Sequence, residues 1–399
     1  MKSNNKPRFY FRDILLSTGE YTKEAVINFS GMEVYESVPR GITIGMNEIN
    51  ALVSEDMGDY ASLENPNVFE LSQNLFDNNI ASRFKSQTGT ALSMVFLKYL
   101  ALRNNFKHPD LYRFIAKTYG RKISFPKPIF NILNGGKHAG NGLDFCEFMI
   151  IPNESSIKDC IRIASEVYLD LRDLIENKFG NKCILVGREG GFSPNISDIE
   201  LALELIRQSI KARNDGNCSI AIDIAANNFG RLIESGKNNF EYFINGNRFT
   251  TESLVKYYQN VIIKFPEIKY LEDPFHENDI NGWQKLNLLL KNKILIVADD
   301  LTITNVSFLE KYNDCFNACT LKVNQAGSVT GLEKAYNFCV DHGVKTIISQ
   351  RSGETDSDII AHLAVGLGSD YIKAGAPARE RIIKYNSLIR MEDMAYDRN

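Results

Sequence analysis

At 399 residues the chain exceeds what one hydrophobic core usually serves, so two domains are the expectation. Its 46 basic and 49 acidic side chains leave a formal charge of -3, a near-balance with no dominant field for gripping a nucleic-acid backbone or an anionic membrane surface. The sequence also has no uncharged apolar run of the length of about 18 residues that a membrane span requires.

Residues 1–8 are polar and basic and lack the apolar stretch of a signal peptide. Strand-like pieces follow at 24–29 and 33–38, then a glycine-rich loop at 39–45. Helical patterns occupy 68–82 and 91–105, the second with Leu92, Val95, Phe96, Leu100 and Leu102 on or beside one apolar stripe. Strands first and helices second predict an α+β capping domain over residues 1–125.

From residue 126 to 399 short apolar runs alternate with amphipathic helices at 157–178, 197–213, 251–264, 332–341 and 358–367. The strand-like runs are 219–223, 268–273, 294–300, 320–325, 345–350 and 370–375. Such alternation implies parallel pairing with right-handed crossovers, hence an α/β fold: a closed (βα) barrel, with a doubly wound open sheet as the alternative. Seven scattered cysteines without a CxxC fit reduced thiols in a cytoplasmic protein, and the five histidines show no ligand spacing that predicts zinc.

Each of the six runs finishes on polar or charged side chains: Asp223; Glu272; Asp299 with Asp300; Lys322; Arg351 with Ser352; Lys373. In a barrel the C-terminal strand ends meet at one mouth, so these residues, spaced 22 to 49 positions apart, would converge. Three carboxylates from neighbouring strands suit a hard divalent cation such as magnesium. Arginine beside serine suits a phosphate or carboxylate. Two lysines facing a metal are expected to be pushed down in pKa, towards base chemistry. Together they favour proton abstraction beside a carboxylate. A surface ion-pair network is the competing explanation. The glycine-rich pieces at 134–138 and 186–191 could be turns alone, and the second is no P-loop.

Longer stretches are more specific: PIFNILNGGKHAGNGLDFCEFMIIP from Pro128, VGREGGFSPN from Val186, IAIDIAANNF from Ile220, YLEDPFHENDINGW from Tyr270 and VADDLTITN from Val297. LKVNQAGSVT from Leu321, SQRSGET from Ser349 and YIKAGAPARERIIKYNSLIRMED from Tyr371 complete the set. Over roughly residues 25 to 395 the sequence resembles the enolase (phosphopyruvate hydratase) family. The resemblance implies an enolase-type barrel that begins with an antiparallel turn, capped by a smaller N-terminal domain. It implies two magnesium ions per site, the second arriving with substrate, and Asp223, Glu272 and Asp299 as ligands of the first. Lys322 matches the base at carbon 2. Glu189 matches the acid at the carbon-3 hydroxyl, with Glu147 its partner, one of the pair staying protonated. Arg351 and Ser352 match the phosphate pair, Lys373 faces the substrate carboxylate, and His138 closes over the ligand. A small phosphorylated acid as substrate and a homodimer or larger homo-oligomer are implied as well.

Several positions depart from the family pattern. The loop usually read SGASTG is RGITIG, which makes Thr43 the candidate ligand of the second metal ion. The usual DSRGNPT is largely lost at 16–22, and Gln350 stands where a histidine precedes the phosphate arginine. Cys146, Arg188 and Gly140 replace a glutamine and two aspartates, and the region between Phe229 and Thr251 is shorter. Three readings remain: a glycolytic enolase, a paralogue acting on a related phosphorylated or phosphonate acid, and a binding protein that kept the fold.

Overall fold

The computed structural model describes residues 7–41, 60–84, 86–212, 217–233 and 240–396. An antiparallel sheet opens the chain, in the order β1 (Arg8–Leu15), β2 (Tyr21–Phe29), β3 (Met32–Ser37). The two-residue turn between β2 and β3 places Ser30 and Gly31 at φ 53° and 78°, the left-handed pair that suits a tight hairpin. One face of β2 buries Ala25 and Ile27 against the helix Ser86–Arg103, and Phe76 stacks on Phe96 with centroids 3.9 Å apart. Each such fully buried side chain contributes about 1.5–3 kcal/mol.

The helix predicted at 68–82 is instead broken into a 3-10 turn Pro66–Glu70, a helix Gln73–Asn79 and a second turn Ala81–Arg83. Ser72 restarts the helix by accepting a bond from the Leu75 amide, and Ile80, at φ -120°, stops it. Apolar spacing alone does not register such local hydrogen-bonding competition.

The rest of the chain builds a closed barrel. Its first strands are β4 (Lys127–Asn134), β5 (Glu147–Pro152) and β6 (Cys218–Asp223). A small antiparallel sheet interrupts it, made of β7 (Gly230–Leu232), β8 (Phe240–Ile244) and β9 (Asn247–Thr250). The barrel continues with β10 (Ile268–Glu272), β11 (Leu295–Ala298), β12 (Ala318–Leu321), β13 (Lys345–Ser349) and β14 (Tyr371–Lys373). Closure runs β10-β11-β12-β13-β14-β4-β5-β6. Only β5 is antiparallel to its barrel neighbours, so the closed barrel holds and the open-sheet alternative falls.

Side-chain caps start the barrel helices. Ser156, Asp198, Asp279 and Ser328 each accept a backbone N–H in the first turn of the helices Ile157–Phe179, Ile199–Lys211, Ile280–Leu290 and Val329–Asp341. The N-terminal region reaches across to the last of these. The Val329 amide donates to Ser93 Oγ at 2.8 Å and the Thr330 amide to Asp77 Oδ2 at 3.0 Å, a carboxylate at a helix N-terminus. All seven cysteines are free. Among the described residues, no helix is long and apolar enough to cross a membrane.

Candidate active site

Inside the barrel, Ile129, Met149, Ala221, Tyr270, Val297, Ala318 and Ile347 form one apolar layer. Side chains two positions apart on a strand share a face. The next layer towards the mouth is therefore Asn131, Asp223, Glu272, Asp299, Thr320 and Ser349, with Lys373 two past Tyr371. On the reversed strand β5 the step runs backwards, from Met149 to Glu147. The register seals the placement, pairing Glu147 with Asp223 and Asp223 with Glu272.

One pocket at this mouth is lined by His138, Glu147, Glu189, Asp223, Asp299, Lys322, Gln350, Arg351, Ser352 and Lys373. Glu272 is fully buried and meets this group through Lys373. Thr43 lies outside the described residues, and of the loop 39–45 only its first three positions are described. Several candidates sit just past their strands. Lys322 occupies the N-cap position of a short helix Val323–Ala326 rather than continuing β12, and Gly327, at φ 75°, ends that helix.

Lys373 Nζ lies 2.8 Å from Asp223 Oδ2, 2.8 Å from Glu272 Oε2 and 3.2 Å from Glu147 Oε2. Lys322 Nζ is bonded to Asp299 Oδ2. The lowering expected of both lysines belongs to a site that holds the metal; without the ion the balance runs the other way. Burial lowers Lys322, but Asp299 outweighs it, and Lys373 is held well above its ordinary value by Asp223, Glu147 and Glu272 despite its burial. Carboxylates outnumber ammonium groups here, and that sets the sign.

Their crowding shows on the acids too. Burial and the charge of Asp223 push Glu272 up to about 7, and burial with Asp299 pushes Asp300 up to about 7. Asp223 Oδ1 is buried without a hydrogen-bond partner. An orphaned carboxylate oxygen among mutually repelling acids is what a bound divalent cation relieves, so the donor set fits such an ion. Asp299 also meets Asp273 and Asp300, with one carboxylate oxygen from each lying within 4.8 Å of the others.

His138 Nδ1 stands 3.3 Å from Glu147 Oε1 and 3.9 Å from Glu189 Oε1. Glycines permit this. A Cβ on Gly187 would strike the His138 carbonyl and Asn134, so the segment carrying Glu189 can press against the loop of His138 only without one. Burial raises Glu189, but His138, Arg381 and Lys373 outweigh it and bring its carboxyl down to about 2. Burial lowers His138, and Glu147 and Glu189 more than restore it, to above its usual value.

The N-terminal region closes over the segment 351–354. Arg40 pairs with Gly353 as a β-bridge, Ser17 donates its amide to the Glu354 carbonyl at 2.7 Å, and a Cβ on Gly41 would overlap the Arg351 guanidinium. Glu354 Oε1 accepts from the Arg351 amide at 2.8 Å and pairs through Oε2 with Lys384 at 2.8 Å.

A family model for the enolase C-terminal TIM barrel domain matches residues 122–398. The chain is 34% identical over 405 residues to an enolase of Solanum lycopersicum, an alignment covering 96% of this chain and 90% of that one. It is 36% identical over 358 residues to an enolase of Methanocaldococcus jannaschii (88% and 81% covered). It is 34% identical over 389 residues to one of Sulfolobus acidocaldarius (92% and 90%). The chain belongs to the enolase family.

Sequence reasoning missed several enolase-site contacts made here. Gln350 Nε2 donates to Glu189 Oε2 at 2.9 Å, and Arg381, fully buried, donates to Gln350 Oε1 at 2.7 Å and to the carbonyls of Arg188 and Ser352. Gln325 Nε2 donates to Asp299 Oδ1 at 3.2 Å, and Asp273 accepts the amides of Asp299 and Asp300 at 3.0 Å each. Asp273, next to Glu272, has φ 42°, a strained conformation for a non-glycine residue. Its adjacency to a strand-end glutamate was the available signal.

Proposed function

We propose that this enolase-family lyase interconverts 2-phosphoglycerate and phosphoenolpyruvate plus water. The observation that carries the reading is one pocket holding Lys322 together with the Glu147–Glu189–His138 cluster and the Arg351–Ser352 pair. Lys322 takes the proton from carbon 2. To accept that proton the amine must be neutral: burial, Arg351 and Lys373 favour that form, and Asp299 and Glu272, which oppose it, are the carboxylates a bound cation would occupy. The hydroxyl on carbon 3 leaves as water with a proton from Glu189 and its partners, and the carbon 2–carbon 3 double bond forms. Arg351 and Ser352 hold the phosphate, and Lys373 faces the carboxylate. Gln350 orients Glu189 and carries no proton itself.

Asp223, Glu272 and Asp299 are the residues that would hold a magnesium ion, with Thr43 serving a second that arrives with substrate. Bound there, the metal supplies positive charge for the substrate carboxylate as carbon 2 loses its proton. Free thiols and near-balanced charge support a cytoplasmic protein without nucleic-acid or membrane partners. A homodimer or larger homo-oligomer follows from the family reading, as does the division into cap (1–125) and catalytic barrel (126–399).

A second reading is favoured by one observation. Cys146 lines the pocket and Gln350 occupies Glu189, which alters the surroundings of the leaving hydroxyl and suits a related phosphorylated or phosphonate acid. The test is ultraviolet detection of phosphoenolpyruvate from 2-phosphoglycerate with magnesium and purified protein. Turnover supports the first reading. Magnesium binding without turnover transfers it to the second, and absence of magnesium binding favours a protein that only kept the fold.

A further inference from the structure

Away from the barrel mouth, the N-terminal region and the barrel meet at two histidines and an aspartate. His108 opens the 3-10 turn His108–Asp110, Asp358 precedes the helix Ile359–Leu367, and His362 lies one turn further along that helix. His108 Nε2 is 3.1 Å from Asp358 Oδ1, and His362 Nε2 is 3.4 Å from Asp358 Oδ2. The two rings meet edge-to-face with centroids 5.0 Å apart. One ligand atom from each of the three lies within 4.8 Å of the others.

His362 is 1% exposed, and neither of its ring nitrogens has a hydrogen-bond partner. Burying a polar ring without partners costs about 1–3 kcal/mol, which calls for something that engages it. Two imidazoles and a carboxylate form the donor set of zinc or a similar first-row ion rather than of magnesium. Metal arms of about 2.0–2.1 Å in tetrahedral array put neighbouring donors about 3.3 Å apart, and one donor atom from each of the three residues already lies within 4.8 Å of the others. The carboxylate has outer support, since Ser387 Oγ donates to Asp358 Oδ2 at 2.7 Å. A neighbouring cavity lined by Tyr35, Lys98, His108 and Asp358 gives an entry path and room for a water ligand.

We propose that His108, Asp358 and His362 form a zinc site that ties the N-terminal region to the barrel, separate from the magnesium-type site at the mouth. Lys98 opposes a cation here, and its ion pair with Glu36 at 2.5 Å offsets that charge. Spacing along the chain did not disclose the site because one ligand comes from residue 108 and the others from 358 and 362.

The test is zinc titration of the whole protein in excess magnesium, which fills the mouth, comparing wild type with His108→Ala. His108 is 49% exposed, so its truncation leaves the core intact. The expected result is one zinc per chain in the wild type, about tenfold or more weaker binding in His108→Ala, and a tetrahedral cobalt spectrum on substitution. Wild type that takes up no zinc over magnesium overturns the proposal. So does a His108→Ala variant that binds zinc as tightly as wild type, which would leave the cluster as an ion pair between the two regions.

Discussion

Lys373 Nζ lies 2.8 Å from Asp223 Oδ2, joining residues 150 positions apart across the barrel mouth. The same ammonium neutralises Glu272, and all three groups are buried. Removing it leaves carboxylates uncompensated in a low-dielectric setting. Lys373→Ala is expected to lose about 3–5 kcal/mol of unfolding free energy in metal-free protein, together with turnover. Urea melts of variant and wild type measure the loss, and coincident curves would show that the lysine is not what balances these acids.

The proposed base can be isolated from the fold. Lys322 occupies the N-cap position of a four-residue helix and its Nζ bonds Asp299, so Lys322→Ala removes one partner of a buried pair and is expected to lower the stability of the metal-free protein while the native fold is kept. Its turnover is expected to fall by about 10²–10⁴-fold, and exchange of the carbon-2 hydrogen with solvent deuterium should stop. Persisting exchange in the variant would assign proton removal to another group.

A definite pH dependence follows from His138. Its folded pKa lies above the ordinary value of 6.5, because Glu147 and Glu189 outweigh the burial that lowers it. A raised histidine stabilises fully below the unfolded pKa of about 6.5 and loses that contribution as pH rises through the folded value. The stability advantage of wild type over His138→Asn should therefore be flat in mild acid and shrink above neutrality. An NMR titration of the metal-free protein checks the premise directly, and a midpoint under 6.5 for His138 refutes it.

Gly366 marks where the helix Ile359–Leu367 passes the helix Leu111–Tyr119. A Cβ there would come within 2.7 Å of the Ile115 side chain and of the Tyr112 carbonyl oxygen. Alanine gains up to about 1 kcal/mol over glycine in a helix, but overpacking costs about 1–3 kcal/mol. The clash with backbone should win, so Gly366→Ala is expected to be net destabilising. Thermal unfolding decides it, and a raised melting temperature would mean that the two helices part freely.

The acidic and basic strand ends were legible in the sequence for a local reason. A strand alternates faces with period two, so Ala221 with Asp223, Tyr270 with Glu272 and Val297 with Asp299 each carry an apolar layer followed by a polar one. Blocks such as YLEDPF and VADDLT display that pattern directly. Helix interruption at Ile80, the small sheet β7–β9 and the cap made by Lys322 were not legible, since each depends on local backbone bonding that apolar spacing does not encode.

By itself, then, the sequence determined the alternating strands and helices, the chemistry available at each strand end and, through its long motifs, the family. Only the tertiary structure decided how those groups act on one another. It sets the register that pairs Glu147 with Asp223, brings Arg381 to Gln350, raises both lysines while no cation is bound and sets His108 against Asp358. Charge interactions depend on distance and burial rather than on chain position, so no reading along the sequence can supply their sign.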